Sequence, residues 1–112
     1  MKTALLSVGV ALACLGAAAT AAQKDYPTRP ITLVIPFSPG GATDVIGRVV
    51  AQKLGQELGQ TVVVENRAGA GTAIGAGYVA KAAADGYTLF ASSGTTFTVN
   101  PAIQSTLPYD PV

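Results

Sequence analysis

An almost unbroken apolar run, Ile31-Thr32-Leu33-Val34-Ile35, lies between Pro30 and Pro36. A β-branched run of this length, bounded by prolines, fits a strand buried on both faces. Strands of that kind belong to sheets with helices on both sides, so this pentapeptide constrains the fold more than any other part of the chain.

The residues after it supply the helices. A turn cluster, Pro36-Phe37-Ser38-Pro39-Gly40-Gly41, ends the strand. Val45, Ile46, Val49, Val50, Leu54 and Leu58 then recur at three- and four-residue spacings and predict a helix with one buried apolar stripe. Thr43 or Asp44 is its expected N-cap and Gly59 its stop. Gly47 and Gly55 each weaken such a helix by up to about 1 kcal/mol, so packing must hold it.

Thr61–Glu65 reads as a second strand and Asn66–Gly71 as a loop. Thr72 is placed to cap a second helix, with Ile74, Tyr78, Val79 and Ala82 on its apolar side and Asp85-Gly86 at its close. Tyr87–Ala91 is a third strand, and Ser92–Thr96 a polar loop. The tail from Asn100 has room for one short helical turn, and Gln23–Pro30 is a lead-in arm.

Strand, helix, strand, helix, strand implies parallel strands with right-handed crossovers. Order 1-2-3 would put both helices on one face, and order 2-1-3 one on each. The run Ile31–Ile35 favours 2-1-3, with the first strand central.

The N-terminus is of another kind. Met1-Lys2-Thr3 is a positive start, Ala4–Leu15 an uncharged apolar run, and Ala19-Thr20-Ala21 a small-residue cleavage site. That sequence of parts reads as a cleavable signal peptide over residues 1–22, with cleavage after Ala21 or Ala22. The run falls short of the roughly 20 residues that span a bilayer. Ala11-Leu12-Ala13-Cys14 resembles a lipoprotein box with Ala where Leu is usual, which is the alternative. Removing residues 1–22 takes Lys2 from the 7 basic residues, leaving 6 against 6 acids, and removes Cys14, the only cysteine.

A 2-1-3 order places a switch point between the first and third strands, where ligands of open α/β sheets bind. The loops meeting there are Ser38–Asp44 and Ser92–Thr96. Gly40 and Gly41 let backbone amides approach a ligand and lead into a helix N-terminus that favours anions. Ser92, Ser93, Thr95 and Thr96 carry hydroxyls able to donate to carboxylate oxygens. With zero net charge, anion affinity must come from oriented dipoles rather than a basic field. The competing reading is a tight turn feeding a helix. Asp44 either caps that helix or contacts a ligand, and Arg67 either meets an acid or is a surface charge.

Other chemistries find little support. The chain has no His, and no base is placed beside Ser92 or Ser93, so no enzyme is read here. Carboxylates are scattered without a metal-ligand cluster, and no basic patch with aromatics suggests nucleic acid. Gly69-Ala70-Gly71-Thr72-Ala73-Ile74-Gly75 resembles a dinucleotide fingerprint with one extra residue. It keeps a nucleotide-linked α/β enzyme as the alternative, but reads better as a small-residue helix start that permits close packing. No cofactor is expected.

Several segments together resemble a known family. They are Tyr26–Ile31, Pro36–Asp44, Val64–Gly71, Ala84–Leu89, Asn100-Pro101 and Leu107–Pro111. In this order they are similar to the receptors of tripartite tricarboxylate transporters, also called Bug proteins. The resemblance implies an open parallel sheet of order 2-1-3 within a type II periplasmic binding protein, with two α/β domains closing on a ligand by a hinge. It implies a small organic carboxylate as ligand and the membrane subunits of the transporter as partners of the full-length form. It also implies the periplasm as location. Phe37, Ser38, Gly40, Gly41, Ala42, Thr43 and Asp44 match the family's first ligand loop, and Ser92, Ser93, Gly94 and Thr95 its serine/threonine loop. Family members are much longer. Residues 23–112 are therefore expected to be the N-terminal part of a truncated, incomplete first domain, with the opposing wall absent. The isolated chain is expected to give no measurable calorimetric binding of a candidate acid.

Overall fold

The computed structural model describes residues 25–111. The signal peptide and Cys14 readings lie outside the described residues. Strands β1 (Ile31–Ile35), β2 (Val62–Asn66) and β3 (Thr88–Phe90) form one parallel sheet in the order β2-β1-β3. The 2-1-3 order is the one adopted, with β1 central. Its partners are Val62 for Ile31 on one side and Thr88 for Thr32 on the other. Ile31, Leu33, Val34 and Ile35 are all buried, which is what a strand covered on both faces requires.

Helix α1 (Ala42–Leu58) joins β1 to β2. A 3-10 turn at Ala70–Thr72 and helix α2 (Ala73–Ala80) join β2 to β3. After β3, a π-helical turn over Thr95–Val99 runs into a short helix α3 (Asn100–Ile103). Alternating side chains of β1 serve the two layers. Leu33 and Ile35 pack with Ala51 of α1, while Pro36, of the other parity, lies against Gly75 of α2.

Helix α1 departs from the expected stripe. Val45, Ile46, Val49 and Val50 are exposed, and the buried positions are Asp44, Gly47 and Ala51. The helix meets the sheet through a row of small residues four apart. A Cβ on Gly47 would collide with the Ile35 side chain, and one on Gly55 would fall 2.9 Å from the carbonyl of Gln60. The bulk that fills this layer comes from the strands, so the helix must approach closely and cannot use its large aliphatics to do so. Val49→Gln is accordingly expected to change unfolding stability by less than about 0.5 kcal/mol. A urea-melt loss above roughly 1.5 kcal/mol would restore the buried-stripe reading.

Helix α2 repeats the pattern. Ala73, Gly75, Ala76 and Gly77 are buried, whereas Ile74 and Tyr78, expected on the packed side, are exposed. It ends at Ala80, short of Asp85-Gly86. The lead-in arm is pinned to the start of β3. Tyr26 donates its hydroxyl to the Gly86 carbonyl at 2.5 Å, Thr28 N donates to Tyr87 Oη at 2.9 Å, and Arg29 pairs with Asp85 at 2.9 Å. Among the described residues no helix is long and apolar enough to cross a membrane.

Candidate functional site

The chain leaves β1 and β3 side by side at their carboxyl ends. Val34 is paired with Phe90, and the Ala91 amide donates to the Val34 carbonyl at 2.9 Å. The loop after β1 and the segment after β3 therefore start from neighbouring positions at the switch point.

The first loop ends in an open helix start. Gly41 is the N-cap of α1, and no side chain among the described residues caps it. Thr43 and Asp44, the expected caps, fall at the second and third helical positions instead. Only from Val45, whose amide donates to the Gly41 carbonyl at 3.0 Å, does the helical ladder begin. The amides before it have no intrahelical acceptor and carry the positive end of the dipole. Gly40 adopts φ +88°, a left-handed conformation that a glycine reaches without strain. Ser38, Gly40, Gly41 and Ala42 are exposed and Thr43 is half-buried. Phe37 points elsewhere, packing against the cluster of Leu33, Ile35 and Ala51.

Asp44 is 3% exposed, and its carboxylate is engaged by its own chain. Arg48 Nε donates to it at 3.0 Å, the Gly40 amide at 2.9 Å and Asn66 Nδ2 at 2.9 Å. Arg48, then the Gly40 amide, then Asn66 hold its pKa down to about 2, from an ordinary 3.8. Asn66 Nδ2 also donates to the Phe37 carbonyl at 3.0 Å, and Arg48 Nη2 donates to Asn66 Oδ1 at 3.1 Å. The loop is thus tied to the end of β2 as well as to α1.

The second segment is more ordered than a polar loop. Ser92 and Ser93 are irregular, but from Thr95 the chain is helical. Thr96 is fully buried, with its hydroxyl bonded to those of Ser92 and of Thr72, the latter at 2.7 Å. The Ser93 Oγ is buried and has no hydrogen-bond partner among the described residues. The Gly94 carbonyl accepts from Thr98 Oγ1 at 2.5 Å, and Thr95 is half-buried.

Behind these loops lies a polar network that the sequence reading missed. Asn100, 1% exposed, donates from Nδ2 to the Gly71 carbonyl at 2.6 Å and contacts Thr72 Oγ1 at 3.3 Å and Tyr109 Oη at 3.2 Å. Tyr109 donates to the Thr96 carbonyl at 2.6 Å. Thr72 does occupy the N-cap position of α2, but its hydroxyl turns to Thr96 and makes no cap. The network holds an unusual backbone. Gly69, Ala70, Gly71 and Thr72 have successive φ of 134°, 49°, 59° and 80°. For a β-branched threonine this is strained by roughly 1–3 kcal/mol and persists only where its surroundings enforce it. Asn100 before a proline was the visible sign, but nothing local says that its amide faces Gly71.

The fingerprint-like Gly69–Gly75 serves packing. A Cβ on Gly75 would fall 2.8 Å from Pro36 Cβ and 2.9 Å from the Arg67 carbonyl. Arg67 pairs with Glu65 at 2.5 Å and stacks on Tyr78 at 3.6 Å, so its charge has an acid partner nearby on β2. Two concavities, of about 490 Å³ by Gln52 and Gln60 and about 500 Å³ by Ile74 and Tyr78, lie outside both loops. Among the described residues no three His, Cys, Asp or Glu gather as a metal site.

Fold and loop placement define the class: an open parallel α/β body whose exposed loops gather at its switch point. Residues 46–112 match the model of the tripartite tricarboxylate transporter family receptor. Protein BugT of Bordetella pertussis is 47% identical over 110 residues, which are 97% of this chain and 34% of BugT. A protein of R. palustris solved with adipate superposes with a TM-score of 0.74 at 43% identity, covering 77% of this chain and 29% of that one. MatC from Rhodopseudomonas palustris with bound malate gives 0.69 at 38% identity, over 77% and 29%. This chain belongs to the tripartite tricarboxylate transporter receptor family. It spans about a third of the length of the curated relatives it matches.

Proposed function

We propose that residues 25–111 form one wall of the binding site of a periplasmic receptor for a small organic carboxylate. The receptor would serve the membrane subunits of a tripartite tricarboxylate-type secondary transporter. One observation carries this reading. The N-terminus of α1 has no side-chain cap among the described residues and faces solvent through Gly41 and Ala42 at the switch point, next to a Gly40 amide already taken by Asp44. A carboxylate there accepts from free amides with no desolvated cation required. Ser92, Ser93, Gly94 and Thr95, which follow β3 beside it, supply the second polar element, and the Ser93 hydroxyl has no partner among the described residues. Adipate and malate, the acids seen with two relatives, carry carboxylates of the kind such amides would bind.

The wall formed by residues 25–111, taken by itself, leaves a bound acid open to water, which competes for every amide. The expected dissociation constant of the chain for malate or adipate is therefore millimolar or weaker, which corresponds to about −4 kcal/mol. Titration of a ¹⁵N-labelled chain with either acid should shift the amides of Gly40–Thr43 and Ser92–Thr95 selectively. Shifts confined to Gly69–Gly75 on adding a nucleotide, with none from the acids, would reject the carboxylate reading.

A further inference from the structure

The loop that reaches the switch point is held by contacts that do not face it. The Asp44 carboxylate takes the Gly40 amide on one oxygen and Asn66 Nδ2 on the other. Arg48 bridges back from α1 to both Asp44 and Asn66. Asn66 completes the circuit by donating to the Phe37 carbonyl. Five hydrogen bonds of 2.9–3.1 Å thus join the two ends of the loop, the first helical turns and the last residue of β2.

We propose that Asp44, Arg48 and Asn66 are positioning residues that lock the Phe37–Asp44 loop into its binding shape before any ligand arrives. This rests on the carboxylate-binding reading for what the shape is for, but not for its existence. The chemistry favours such a role. A loop rich in glycine and exposed to water would otherwise sample many conformations, and ordering it on binding would subtract from affinity. The clamp moves that cost into folding. It also uses Asp44 to occupy the Gly40 amide, so that the ligand is left the amides further along the helix start. Arg48 is the charged group facing Asp44. Asn66 from β2 and the backbone of Gly40 are neutral, and among the described residues no second acid opposes the carboxylate.

Amide hydrogen exchange and side-chain resonances of the unliganded chain test this. At pH 5 the Gly40 amide should exchange about tenfold more slowly in the native chain than in Asp44→Ala or Asn66→Ala, while core amides of β1 keep their protection. The Asn66 side-chain amide protons should be widely separated and slow to exchange. The Gly40 amide shift should stay flat from neutral pH to below 3.8 and move only toward about 2. In Arg48→Gln that movement should begin at higher pH, a displacement that a merely structural loss would not produce.

A Gly40 amide that exchanges freely in the native chain, or averaged Asn66 resonances, would overturn the proposal whether or not the variants fold. If Gly40 is protected but malate and adipate perturb no amide, the clamp stands and the carboxylate reading falls.

Discussion

Replacing Asn100 with alanine is expected to destabilise the chain by about 3 kcal/mol, near the top of the range for a single side chain. The amide is 1% exposed, and it serves the Gly71 carbonyl, Thr72 and Tyr109 together. Truncation strands the Gly71 carbonyl, at roughly 1–3 kcal/mol for a group left unpaired, and removes a shared donor from Thr72 and Tyr109, which keep only their bonds to Thr96. It also frees a turn whose positive φ at Ala70 and Thr72 is maintained from outside. Urea melts of native, Asn100→Ala, Tyr109→Phe and the double variant would read both the loss and the coupling. A coupling of about 1 kcal/mol or more is expected for groups that share hydrogen bonds. A loss under roughly 1 kcal/mol with simple additivity would mean that the network is ornamental and that the turn holds itself.

The second large effect concerns a methyl group. Gly75→Ala is expected to cost about 2 kcal/mol, although alanine is intrinsically the better helix former by about 1 kcal/mol. The new Cβ would fall 2.8 Å from Pro36 Cβ, 2.9 Å from the Arg67 carbonyl and 3.1 Å from Pro36 Cα. Two of these atoms are backbone at the ends of β1 and β2, so neither side chain can swing away. Gly77 offers the contrast within the same helix. Its Cβ would meet ring atoms of Pro108 at 3.0 and 3.1 Å, and the nearest backbone atom, the Pro108 carbonyl oxygen, lies 3.5 Å away. Gly75→Ala should therefore lower the melting temperature by roughly 10 °C and Gly77→Ala by much less. Equal behaviour of the two variants would refute the close-approach argument.

Much of the architecture was legible because it rests on local pattern. The run Ile31–Ile35 announced a strand covered on both faces, and it implied the 2-1-3 order and the switch point. The helices were found, but not the faces they bury. A hydrophobic stripe is a reliable guide where a helix supplies the bulk of a core. Here the strands supply it, and Gly47, Ala51 and Gly55, four apart, mark the contact face. Its two glycines, taken from the sequence alone, signal only a weakness of the helix. The candidate site divides in a similar way. Gly40, Gly41 and the helix start could be read from their order along the chain. Asp44's partners could not, because Asn66 is distant in sequence and reaches it only once β1 and β2 are paired. The same holds for Asn100 and Gly71.

The strand order has a consequence in time as well as in space. Because β1 is central and comes first, Ile31 waits for Val62 and Thr32 for Thr88 before any rung of the sheet can form. Each pairing closes a long loop whose entropy is lost before contact rewards it, so the nucleus is non-local and the contact order high. Helix α1 can flicker early, but with two glycines in it and no sheet beneath, it gains little until the strands meet. A chain arranged in this way commits late. Among the described strands, β1 gains its first rungs only when Val62–Asn66 has emerged, and its other edge is closed only by the docking of Thr88–Phe90.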